Sequence, residues 1–75
     1  MPAVDEQLAQ ISQELSAIAE RLADLALDRL HRALDADEPE AVQAQADERR
    51  ITRARRAVEK AAIQLQGDFG ESGTP

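Results

Sequence analysis

The sequence predicts an all-α fold: an antiparallel two-helix hairpin that pairs with itself as a four-helix bundle. Three observations predict it. Large apolar residues recur in steps of three and four along two long segments. Both segments are rich in Ala, Leu, Glu, Gln and Arg, the good helix formers. Between them lies only the short stretch Asp37-Glu38-Pro39-Glu40, which reads as the end of one helix and the start of another.

The first helix is expected over about residues 5–35, where neither Gly nor Pro intervenes. Leu8, Ile11, Leu15, Ile18, Leu22 and Leu25 give the seven-residue repeat of a helix packed along one seam. At the corner, Pro39 suits a first helical turn because its missing N–H would be unpaired there anyway. Asp37 followed by Glu40 has the spacing of a capping box. So short a corner sends the second helix back beside the first, with facing positions summing to roughly 74–76. That helix is expected over about residues 39–66, on a seam of Ile51, Ala54, Val58, Ala61 and Leu65, and Gly67 stops it. Residues 67–75, with three glycines, are expected to form a flexible tail in the single domain 1–75, and Phe69 is a candidate to fold back over the open end.

Composition narrows the function classes. Of the 75 residues, 43% are hydrophobic, but fifteen of these are alanine, which leaves eight Leu, four Ile, three Val, one Met and one Phe to build a core. Without cysteine there is neither a disulfide framework nor a thiolate metal site. No apolar run is long enough to span a bilayer, and no basic-then-apolar leader pattern opens the chain, so a cytoplasmic protein is expected. Eight of the nine basic residues are arginine and a fifth of the chain is alanine, the codon bias of a GC-rich genome, which points to bacteria or phage.

The net charge of −6 conceals a division. Residues 1–48 carry twelve acids against three arginines (−9), whereas residues 49–60 carry six bases against Glu59 (+5). Arg49, Arg53, Arg56 and Lys60 fall on one stripe, suited to an acidic protein face or to nucleic-acid phosphates. With no aromatic residue interleaved for base stacking, the acidic face is preferred, and Glu14, Glu20 and Asp24 of the first helix are the expected partners. His31 stands three residues after Asp28, a spacing seen in di-iron bundles, but one histidine facing away from the seam reads as a surface residue. Ser12 and Ser16 have no base beside them, and no glycine-rich loop precedes a helix. An enzyme is therefore not expected, nor a cofactor or metal.

Two further expectations concern contacts. Arg29 and Asp47 lie in the seam and sum to 76, so they should meet as an ion pair that fixes the register. Leu27, Leu30 and Leu34, with Ala23, point well away from the Leu8–Leu25 seam, and α-helical geometry gives them no owner within the hairpin. They are the expected homodimer interface. The function read from the sequence is a small non-enzymatic assembly or adaptor module working through helix–helix contact, with itself and then another protein as partners. The alternatives are a nucleic-acid accessory protein using the Arg49–Lys60 stripe and, behind it, a ligand- or metal-binding bundle. No membrane partner is expected.

Overall fold

The computed structural model describes residues 3–66. The expectations for the tail and for Phe69 lie outside them. Two helices, α1 (Val4–Asp35) and α2 (Glu38–Leu65), pack side by side as an antiparallel hairpin. Ala36 and Asp37 form the corner, both in extended conformation. Asp37 stands at the helix start but makes no side-chain cap, so the capping box is not formed; its carbonyl instead accepts the Ala41 N–H at 2.8 Å. Pro39 sits in the first turn of α2, and Glu38 and Glu40 put negative charge at the positive end of the helix dipole.

The seam keeps Leu8, Leu15 and Leu22 and Ile51, Val58 and Leu65 of the expected repeats, and shifts the alternate positions by one. In α1 the buried or half-buried positions along the seam are Leu8, Ser12, Leu15, Ala19, Leu22, Ala26, Arg29 and Ala33, stepping four and three, with half-buried Ala23 on its flank. In α2 they include Ala41, Ala44, Glu48, Ile51, Arg55, Val58, Ala62 and Leu65, again on a seven-residue period. Only Ser12, Ala19, Ala26, Ala44 and Ala62 are buried among the described residues. Small side chains at the centre of a helix pair let the backbones come close, and interaxial distance follows the side chains at the contact. Leu8, Leu15 and Leu22 then pack beside the contact instead of holding the helices apart.

This corrects the expected seam. Ile11, Ile18 and Leu25 are 43%, 41% and 45% exposed, and Ala54 is exposed as well. The physical reason is that a repeat of apolar residues marks which half of a helix is buried, while the smallest residues within that half decide the line of closest approach. The register expectation holds: the Ser12 hydroxyl donates to the Ala62 carbonyl at 2.7 Å, positions that sum to 74. That carbonyl belongs to the last turn of α2, where carbonyls lack helical partners. The Gln66 N–H turns to Ile63 at 3.1 Å instead, so α1 supplies the missing donor. Gln66 Nε2 in turn donates to Ser12 Oγ at 3.2 Å.

Candidate functional site

A hairpin is one layer thick, and here the thinnest dimension is 12 Å. Each helix can cover only one flank of its neighbour, so the broad faces and outer edges remain as candidate sites. The heptad positions sort these surfaces. Val4, Ile11, Ile18 and Leu25 share one position, spaced by seven, and form an apolar stripe along α1 on one broad face. Arg32 continues the same stripe toward the corner. On α2 the matching flank of that face carries Glu40, Asp47, Ala54 and Ala61. The face is therefore divided along its length, apolar toward the open end and charged toward the corner.

At the charged end a groove of about 520 Å³ opens between the helices, lined by Arg29, Arg32, Asp35, Ala36, Glu40, Gln43, Ala44 and Asp47. The ion pair expected between Arg29 and Asp47 is not formed. Both line the groove, but Arg29 Nη2 donates to Asp28 at 2.6 Å, and Asp47 accepts from Gln43 at 3.0 Å with Arg50 at 4.0 Å. Neighbours on the same helix reach these side chains at smaller entropic cost than a partner across an open groove. Arg29 Nε is left buried without a hydrogen-bond partner. Asp28 also accepts from Arg32 at 3.3 Å. The hydrogen bond from Arg29, reinforced by Arg32, holds the Asp28 carboxyl below its ordinary value of 3.8. Both arginines thus occupy the carboxylate three residues before His31, which is itself exposed.

The basic stripe occupies the outer edge of α2. Arg49, Arg53 and Arg56 border a shallow depression of about 300 Å³ with Glu48 and Thr52, which hydrogen-bond each other at 2.7 Å. Arg49, Arg53, Arg56 and Lys60 are exposed, and among the described residues none of them makes an ion pair. Glu14, Glu20 and Asp24 are exposed on α1 and are likewise without an ion pair. The expected pairing between these two groups does not occur, because the stripe lies on the side of α2 turned away from α1. The hairpin consequently has one acidic and one basic edge.

The fourth surface is the leucine patch near the corner. Leu27 and Leu30 are exposed, Leu34 is 81% exposed, Ala23 is half-buried, and Val42 at 57% extends the patch onto α2. The patch is legible in the sequence; the Val4–Leu25 stripe is not, because Ile11, Ile18 and Leu25 read as part of the seam. Their strict spacing by seven, against an equally strict repeat of small residues at 12, 19, 26 and 33, was the available signal.

Among the described residues, no group of three or more His, Cys, Asp or Glu is placed to hold a metal ion. No helix among them is long and apolar enough to cross a membrane. No protein-family model, curated protein or solved structure matches this chain.

Proposed function

We propose that this protein is a small, non-enzymatic helical assembly module, and that its first partner is a second copy of itself, closing a four-helix bundle. The observation that carries the reading is the amount of large apolar side chain left open. Val4, Ile11, Ile18, Leu25, Leu27, Leu30, Leu34, Val42 and Ile63 are all substantially exposed, while among the described residues the buried centre holds only alanine and serine. Val4, Ile11, Ile18 and Leu25 make one apolar stripe and the corner leucines a separate patch. Apolar surface left open on this scale marks contact sites, and a chain of this size lacking disulfides gains its missing core most directly by pairing. A cytoplasmic setting suits such a module.

The test is dilution. Sedimentation equilibrium should give a dimer at about 100 µM, and helicity should fall together with mass toward about 1 µM, since dimer stability follows protomer concentration. A monomer with full helicity at every concentration would overturn the reading.

A second reading draws on the unpaired arginines around the shallow depression on α2. Arginine forks match phosphate geometry, and an edge of unpaired cations suits a polyanion such as nucleic acid. Its test is binding to duplex or single-stranded nucleic acid that weakens steeply with salt and disappears in an Arg53→Glu/Arg56→Glu variant. Absence of salt-dependent binding in the parent protein would remove it.

A further inference from the structure

We infer that the second copy docks on the face carrying Ile11, Ile18 and Leu25, and that the twofold axis runs parallel to the helices, so that α1 of each copy lies over α2 of the other. The inference rests on the proposal that the protein self-associates, and it adds the surface and the orientation.

The argument begins with what α2 leaves uncovered. A helix inside a four-helix bundle needs three of its seven heptad positions facing inward, two toward one neighbour and a third toward the next. In α1 the third position is Val4, Ile11, Ile18 and Leu25, apolar for three heptads without a break. The opposite flank is Ala9, Ser16, Ala23 and Leu30, faced on α2 by Glu38, Gln45, Thr52 and Glu59, mostly small or polar. Only the first face can close a dry core along most of the hairpin. Leu27 and Leu34 lie farther round toward the outer edge, so the leucine patch stays outside this interface. The sequence had made that patch the dimer contact on the premise that α2 covers Ile11, Ile18 and Leu25, and the observed exposure removes the premise.

Orientation follows from the division of the face. Two identical faces can stack about a twofold axis either along the helices or across them. An axis across them would set Arg32 of one copy over the Val4–Ile11 end of the other and bury a charge against apolar groups. It would also stack the two α2 helices, placing each +5 segment over its twin. An axis along them keeps like ends together. Ile11 and Ile18 then lie over the Ala54–Ala61 stretch of the other copy, and Arg32 lies over Glu40 and Asp47. Arg29, whose buried Nε has no partner within the hairpin, lines the same charged groove. At the rim, the acidic edge of each α1 comes beside the basic edge of the partner's α2, so that Glu14, Asp24, Arg53 and Lys60 gain the counter-ions they lack within one chain.

The experiment uses the absence of cysteine from the chain. Gln10, Ala17 and His31 share one heptad position on the outer edge of α1. Each is changed singly to cysteine in the full chain, spin-labelled, and the distance between the two copies is measured. With the axis along the helices the three distances agree to within about 5 Å. With the axis across them, Gln10 and His31 report distances about 20 Å longer than Ala17, from a rise of 1.5 Å per residue counted in both copies, and that spread would overturn the orientation. The surface is tested by sedimentation. Ile18→Glu should weaken the dimer about a hundredfold or more, since it acts twice per dimer, while Leu30→Glu should leave it within about threefold. The reverse result would overturn the surface. Raising salt from about 0.05 to about 0.5 M should weaken the dimer, because the rim charges attract; strengthening would again favour the crosswise axis. Loss of all association in the parent protein would instead overturn the proposal of self-assembly itself.

Discussion

At the open end of the hairpin, Ser12, Ala19 and Ala62 are buried, and a 2.7 Å hydrogen bond ties one helix to the other. At the corner end Ala44 is also buried, but on the same seven-residue rhythm Arg29 occupies the seam, Asp47 lies on its flank, and a groove of about 520 Å³ opens between the helices on one face. The covalent connection lies at the end that carries the groove. Where the chain itself holds the helices together, the seam can accommodate charge and open space; where nothing covalent does so, the seam is narrow and polar groups are satisfied.

Overpacking should separate the two ends most strongly. Ala62→Leu forces a large side chain into the narrow end and is expected to cost about 1–3 kcal/mol. Ala44→Leu, beside the groove, should cost clearly less because its added atoms have somewhere to go. Urea unfolding of both variants at one protein concentration checks this, and equal costs would mean that the ends are packed alike. Next comes Ser12→Ala, which leaves the Ala62 carbonyl without its donor; the expected loss is about 1–2 kcal/mol. A loss below about 0.3 kcal/mol would mean that water replaces the hydroxyl fully and the open end is not the tighter one.

Smaller effects are expected at the corner. Arg29→Leu removes a buried Nε with no partner and fills part of the seam, so thermal unfolding of the hairpin should be unchanged or raised by up to about 1 kcal/mol. A clear loss would identify Arg29 as a stabilising member of the seam. The same substitution should move the Asp28 titration upward, toward its ordinary value, because the largest cause of its depression is gone. With the folded carboxyl held below 3.8, its contribution to stability is complete above that pH and vanishes as the pH falls through the lower folded value. Carboxyl-detected NMR of Asp28 with and without Arg29 measures the shift, which should be the smallest of the four effects, since this pair is exposed.

Both helices, the corner and the antiparallel register could be read from residue order, because they depend on local rules: apolar period, helix propensity and a proline two residues into a turn. Helix limits agree to within a residue. The line of contact could not be read in the same way. Leu8, Ile11, Leu15, Ile18, Leu22 and Leu25 define an arc wider than one neighbour can cover, and hydrophobicity alone does not say which part of the arc faces inward. That choice was made by the smallness of Ser12, Ala19 and Ala26, a property of the backbone approach and not of affinity for water. The Arg29–Asp47 expectation failed for a related reason. The arithmetic placed them at one level, but Asp28, Gln43 and Arg50 compete from the same helix at shorter reach.

The bond from Ser12 to Ala62 joins residues fifty positions apart in the chain. A hairpin that zips from its corner forms this contact late, after the shorter loops are already closed, and so spends its loop-closure entropy gradually. Fraying that begins at the free ends must release it to reach the middle of the hairpin. One hydroxyl therefore acts as a latch on the unzipping direction, and amide protons in the last turn of α2 should exchange with solvent no faster than those in the middle of the helix, although chain ends ordinarily exchange first.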